Sequence, residues 1–283
     1  MQQEKHPLET VSDWLEERGL AVIDNVTRMP VYGEPFIYPN LVIVLCHRGW
    51  LHVDYDMHPM KFQTHDNAVI YPGHILTAHE SSEDYLCTLL VISQRFLNIL
   101  SQLHPNHYLF EYHYNTQFHL TNKQFETMLA CMNILKTISL LKHPDREGLL
   151  ATQMDIVARI VKNFLRENGK EMIHKDTATQ RMLSRFHEAV VQHYRESREV
   201  NFYASMFNLT PKYFGTAIRR ATGLGVGEWI GKYVVTQAKF LLRHQPDLSV
   251  QQISDLLGFC EQTSFSRYFK KYSGLSPKEY RET

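Results

Sequence analysis

The chain has 283 residues, 43% hydrophobic and 21% charged, and its 30 basic and 30 acidic side chains cancel to a formal charge of zero. That length holds two domains, each large enough to bury a core. The opening MQQEKHPLET lacks a signal-peptide core, and no apolar run approaches the roughly 18 residues of a membrane span, so a cytoplasmic protein with no membrane partner is expected.

Residues 1–10 read as an arm, and Thr10 to Arg18 as a short helix with Ser12 or Asp13 at its cap and Gly19 at its stop. From Leu20 to Ser93 the pattern changes to runs rich in Val, Ile, Leu and Tyr. They are broken by turn signals at Arg48-Gly49, His65-Asp66-Asn67 and Tyr71-Pro72-Gly73. Seven or eight antiparallel strands are expected there, closing a small barrel or sandwich. Alternation puts Trp50, His52 and Asp54 on one face of a strand and Leu51, Val53 and Tyr55 on the other, without deciding which face lies inside. Trp50, His52, Tyr55, Tyr71 and His74 are the candidates for a small-molecule pocket, with Trp50 and Tyr71 equally readable as core filler.

After Ser93 the chain turns helical. Gln94 to Leu103 carries Phe96, Leu97 and Leu100 on one side, and a loop rich in His, Tyr and Asn follows. Thr121 caps a helix with Phe125, Leu129, Met132, Ile134, Leu135, Ile138 and Leu141 on a broad apolar face that ends at His143-Pro144-Asp145. A second helix, Arg146 to Asn168, includes Leu149, Leu150, Met154, Ile156, Val157 and Val161. Two such faces exceed what one small barrel needs, which predicts a helix-helix dimer seam, with an intramolecular core as the alternative. The polar stretch 169–179 reads as a linker.

The four cysteines, Cys46, Cys87, Cys131 and Cys260, show no CxxC spacing and read as reduced thiols, with redox sensing as the alternative. Charge is unevenly placed. Residues 181–283 hold 15 Lys and Arg against 9 Asp and Glu, a formal +6, and residues 1–180 hold 15 against 21, a formal −6. The basic third is the part suited to phosphates.

That third contains a repeat. A helix from Gln180 to Tyr194 turns Met182, Leu183, Phe186, Ala189 and Val190 inward, and two helical pairs follow. In the second pair Ser249 caps a helix with Val250, Ile253, Leu256 and Leu257 at helical spacing, and Gly258 stops it. The next helix has an aromatic back of Phe265, Tyr268, Phe269 and Tyr272 and a front of Gln262, Thr263, Ser266, Arg267, Lys270 and Lys271. Fifty-one residues earlier the pattern recurs: Thr222-Gly223-Leu224 matches Ser273-Gly274-Leu275, Arg219-Arg220 matches Lys270-Lys271, and Phe214 matches Phe265. Upstream of the turn the offset is 50, which places Asn208 where Gly258 stands. Thr210-Pro211 is a cap followed by proline at the first helical position. An amphipathic segment, Val226 to Arg243, joins the two units, with Trp229, Ile230, Val234, Ala238, Leu241 and Leu242 on its apolar side. Amides and guanidinium groups on such a front make paired hydrogen bonds to base edges in the major groove, while hydroxyls and lysines hold phosphates. A solvated polar face on an ordinary αα-hairpin is the alternative for either unit alone.

The runs QQISDLLGF and SFSRYFKKYSGLSPKEYR resemble the signature of the AraC/XylS family of bacterial transcription regulators, and the likeness spans Arg185 to Arg281. The resemblance implies double-stranded DNA as partner, read by both recognition helices. Carried over by position, the downstream readers are Gln262, Thr263, Ser264 and Arg267, and the upstream ones Lys212, Gly215 and Thr216. Many members have a long polar side chain where Gly215 stands and an arginine at Thr216. The upstream helix is therefore expected to act more through Lys212, Arg219 and Arg220 at phosphates, as Lys270 and Lys271 do downstream.

The segment NAVIYPGH more loosely resembles the cupin-like sensor of the same family, which implies a small-molecule effector, a homodimer and RNA polymerase as partners. The alternative is a metal-dependent cupin enzyme fused to a DNA-binding tail. Such an enzyme needs three or four converging ligands. Among His47, His52, His58, His65, His74 and His79 there is no HxH, and His52-Val53-Asp54 comes nearest. The fold expected is thus α+β and multidomain, with no cofactor: a cupin-like antiparallel β-barrel over 1–120, a helical dimerisation segment over 121–168, the linker, and an all-α tandem helix-turn-helix domain over 180–283.

Overall fold

The structure is a computed structural model and describes residues 12–29, 32–33, 35–56, 58–104, 117–167 and 178–282. The expected arm, residues 105–116 of the loop expected before Thr121 and nearly all of the expected linker lie outside the described residues; the end of that loop, Gln117–His119, forms a short strand instead. The chain divides into two compact units, Met1–Glu34 with Tyr38–His174, and Pro35–Ile37 with Lys175–Thr283.

In the first unit, α1 (Ser12–Arg18) leads into β1 (Leu20–Val26) through Gly19, whose φ of 83° is the left-handed value glycine adopts without a Cβ penalty. Further strands are β3 (Leu41–Arg48), β4 (Trp50–Tyr55), β5 (His58–Gln63), β6 (Asp66–Ile70), β7 (Ile75–Ser81), β8 (Leu86–Ile92) and β9 (Gln117–His119), while β2 (Pro35–Ile37) belongs with the second unit. One antiparallel sheet has the order β1-β8-β3-β6-β9, and in the other β7, β4 and β5 lie side by side. The predicted turns hold at Gly49, His65 and Gly73, all with positive φ.

β3 is apolar without alternation because both its faces are covered. Its Leu41, Ile43 and Leu45 enter a core completed by α2 (Gln94–Leu103), α3 (Asn122–Leu140) and α4 (Arg146–Glu167). There Phe96 and Leu100 of α2 meet Met132 and Leu135 of α3 and Leu150 and Met154 of α4, all at most 2% exposed. Each such side chain contributes roughly 1.5–3 kcal/mol relative to exposure. Thr121 caps α3 in a reciprocal box with Gln124. Not all of the predicted apolar faces are spent on this core: Ile134, Leu141, Leu149 and Ile156 are exposed, and so is Leu140.

In the second unit, α5 (Ala178–His193) is followed by α6 (Val200–Met206), α7 (Pro211–Thr222), α8 (Val226–His244), α9 (Val250–Leu256), α10 (Gln262–Ser273) and α11 (Pro277–Arg281). α8 is the spine, touching α7, α9, α10 and α11, and β2 packs on it. Its predicted apolar side is inward at Trp229, Ile230, Val234, Ala238 and Leu242, while Leu241 is half-buried. Phe186 of α5 gathers the first motif, with ring centroids 5.8 Å from Tyr203, 5.5 Å from Phe214 and 5.2 Å from Trp229.

Candidate nucleic-acid interface

The first helix-turn-helix runs from α6 to α7. Asn208 makes the turn at φ 54°, and the Thr210 hydroxyl accepts the Tyr213 N–H at 3.3 Å, satisfying one of the free donors at the start of α7. Phe214 and Ile218 are fully buried, so the opposite face is solvent-exposed. Lys212, Thr216, Arg219 and Arg220 all lie on it. Thr216 donates its hydroxyl to the Lys212 carbonyl at 2.8 Å, and a Cβ at Gly215 would meet nothing within 4 Å. The exposed face of α7 therefore has a gap at its centre and a hydroxyl already engaged by its own helix.

The second motif is better equipped. Ser249 and Gln252 close a capping box on α9, Gly258 turns at φ 73°, and α10 buries Phe265 and Phe269 beneath half-buried Tyr268 and Tyr272. Gln262, Thr263, Ser264 and Arg267 are all exposed along the first two turns, and Lys270 and Lys271 are exposed in the last. Cations in a final turn also offset the negative end of the helix dipole, a role that Arg219 and Arg220 share on α7. Glu261, at the N-cap without a cap bond, accepts the Thr263 hydroxyl at 3.1 Å.

Three large side chains of these helices are exposed. Leu256, expected on the apolar face of α9, is 48% exposed, and so, less fully, is Met206 at the matching step of α6. Ile253 and Leu257, with Ser254 between them, bury that short helix. Tyr213, not singled out from sequence, is 63% exposed on α7 beside Lys212. The repeat carried the signal, since Tyr213 stands 51 residues before Ser264.

The pocket candidates of the first unit separate into two groups. On β4 the alternation resolves with Leu51, Val53 and Tyr55 buried and Trp50, His52 and Asp54 half-exposed. Trp50 lies tilted against His52 with ring centroids 4.4 Å apart and carries Lys61 over its ring at 5.2 Å. His52 Nδ1 is hydrogen-bonded to Glu80 at 2.9 Å, and Asp54 to His79 at 2.9 Å. The nearest approach to a cupin ligand pair is thus engaged in two separate outward pairs. Tyr55, Tyr71 and His74 instead come together in the interior. The His74 ring stacks on Tyr55 at 5.0 Å and lies 6.0 Å from Tyr71, and the Tyr71 N–H donates to the Tyr55 hydroxyl at 3.3 Å. Asp56, which the sequence reading missed, holds His74 Nδ1 at 2.6 Å and accepts the Ile75 N–H at 3.0 Å. Asp56 is 6% exposed and turns the chain just after β4 with a φ of 49°.

Residues 203–283 match the helix-turn-helix domain family. The chain is 28% identical over 127 residues to the Msm operon regulatory protein of Streptococcus mutans, covering 45% of this chain and 44% of that one. It is 26% identical over 196 residues to the HTH-type transcriptional activator RhaS of Escherichia fergusonii, covering 66% and 64%. The likeness thus spans under two thirds of these relatives' length. A crystal structure of apo ToxT from Vibrio cholerae shares the fold, with a TM-score of 0.50, 12% identity, and coverage of 93% of this chain and 97% of that one. Residues 203–283 thus carry a helix-turn-helix domain, and the chain is similar to transcription regulators of this type.

Proposed function

We propose that the chain is a sequence-specific transcription regulator that binds double-stranded DNA and answers to a small effector in its first unit. The observation that carries the reading is the repeated design of α7 and α10. Each is anchored by two fully buried apolar residues four apart and presents an exposed polar and basic front from its first turn. Gln262 and Arg267 suit paired contacts to base edges, Thr263 and Ser264 single ones, and Lys212, Arg219, Arg220, Lys270 and Lys271 suit phosphates. Thr216 is the remaining upstream reader.

Homodimerisation is supported by the apolar side chains that the core leaves outside on α3 and α4, among them Ile134, Leu140 and Ile156. Effector binding is supported by the interior cluster of Tyr55, Tyr71, His74 and Asp56, where aromatic faces adjoin hydrogen-bonding groups. Such an effector acts only by favouring one presentation of the DNA-binding units over another, since equal affinity for both shifts nothing. RNA polymerase is the partner through which bound protein changes transcription.

Selection from random duplex DNA tests the reading. Full-length protein, and residues 175–283 alone, should each enrich a motif of two boxes at moderate salt. Enrichment by neither contradicts it.

A further inference from the structure

The corner between α5 and α6 holds side chains that join the two motifs. This corner leads into the first motif, and Tyr203 of α6 donates its hydroxyl to the Ser197 carbonyl at 2.9 Å. Yet its next residue reaches the second. Arg198 donates from its guanidinium to the carbonyls of Leu257 and Gly258, the latter at 3.4 Å. These are carbonyls that a helix leaves unpaired at its C-terminus, here that of α9, and a cation there also meets the negative end of the dipole. The same guanidinium lies 3.9 Å over the ring of Phe259 and 5.9 Å from that of Tyr268 on α10. Three residues before it, the Arg195 carbonyl presses on Gly258 so closely that a Cβ would come within 2.2 Å of its oxygen.

On its other flank α10 is held by the linker helix. Tyr272 donates its hydroxyl to the Gly227 carbonyl at 3.2 Å, and its ring occupies the space beside Gly231, where a Cβ would lie 2.2 Å from Cζ. The second motif is therefore gripped on one side by α8 and on the other by the corner that leads into the first motif, which is tied to α6 through Tyr203. Nothing in the helical periodicity marks Arg198 for this. A planar fork that hydrogen-bonds in its plane and stacks on its face is what the site uses, and lysine has neither property.

We propose that Arg198 is a positioning residue that fixes α10 relative to α7, so that the spacing between two DNA boxes becomes part of what the protein recognises. The inference rests on the DNA-reading function proposed above. One inserted base pair rotates the second box by about 35°, since a turn takes about 10–10.5 base pairs. A rigid head cannot follow that rotation, whereas a loosened one can.

Two measurements test this on the full-length chain. The first reads position without DNA: spin labels on Cys260, which is exposed, and on a cysteine replacing Thr216 report the distance between the motifs by pulsed electron resonance. The distribution should be narrow with Arg198, broad in Arg198→Ala, and intermediate in Arg198→Lys. The second reads specificity: the affinity ratio between the selected site and the same site with one base pair inserted between its boxes. That ratio should be about tenfold or more in the parent, the scale of losing one base contact, and at least about threefold smaller in Arg198→Ala. A purely structural role would weaken both sites alike and leave the ratio unchanged. Should Arg198→Ala fail to fold, Tyr272→Phe loosens the opposite flank and should lower the ratio in the same direction. A narrow distribution or an unchanged ratio in the folded variants overturns the proposal. A parent protein that enriches no duplex overturns the DNA-reading function instead, which the label distances leave untouched.

Discussion

Asn208 and Gly258 adopt the same left-handed conformation at the same step of two successive motifs, with φ of 54° and 73°, and Gly258 additionally lies beneath the Arg195 carbonyl. Asparagine tolerates left-handed geometry, so the two positions separate conformation from packing. Asn208→Gly should change stability by less than about 1 kcal/mol. Gly258→Asn keeps a permitted φ but drives a Cβ into backbone, and should cost about 2 kcal/mol or more in urea unfolding. Equal costs at both positions would show that the close approach at Gly258 does not matter.

On α10 the readers and the phosphate contacts should fail differently. Arg267→Ala or Gln262→Ala should cost about 1–3 kcal/mol of binding and relax preference at particular base pairs. Lys271→Ala should weaken all sequences alike and lower the salt slope by about 1. Titrations against matched and single-mismatch duplexes across a range of salt distinguish the two behaviours.

Thiol reactivity should be confined to one cysteine. Cys46 and Cys87 face each other across β3 and β8, and burial pushes both thiols up to about 12. Burial also raises Cys131. Cys260 alone is exposed. A thiol reagent at neutral pH should therefore titrate one group quickly in the native protein and four after denaturation, and Cys260→Ser should abolish the fast phase. A second fast thiol would reopen redox sensing at the β3–β8 pair.

The cap of α11 carries a pH dependence of known sign. The Ser276 N–H donates to the Glu279 carboxylate at 2.7 Å, and this backbone bond, then the Ser276 side chain, lowers the carboxyl below its ordinary value. A carboxylate whose pKa falls on folding stabilises the fold above its unfolded pKa, and that contribution is lost as pH drops through the lowered one. Carbon-detected titration of Glu279 should place its midpoint below the ordinary glutamate range. Glu279→Gln, which can still accept the bond, should remove this share of the acid dependence.

The helix-turn-helix pair was legible in the sequence because its signals are local. Ser249 and Thr210 are caps, Pro211 starts a helix, and Asn208 and Gly258 make turns by conformational preference that needs no distant partner. The strands were legible for the same reason at Gly49, His65 and Gly73. What escaped depends on partners far along the chain. The inward face of β4 could not be chosen, because Trp50 and Tyr55 are both plausible interior residues until the neighbouring strands are in place. Ile134 and Ile156 look like core from periodicity and are exposed, since helix α3 or α4 buries only the stripe that meets its neighbours. Pro35–Ile37 falls with a unit that otherwise begins at Lys175. Arg198 reads as one charge among several in RESRE, and its contacts lie about 60 residues ahead.

If α10 reads bases as one of two recognition helices acting together, random-duplex selection on Arg267→Ala beside the parent shows it most directly. The parent should enrich two boxes. The variant should keep both boxes at the same spacing but lose preference at one or two base pairs of one box only. Identical motifs from the two proteins, or a uniform loss of enrichment with no change of motif, would contradict the assignment of α10 as a base-reading helix.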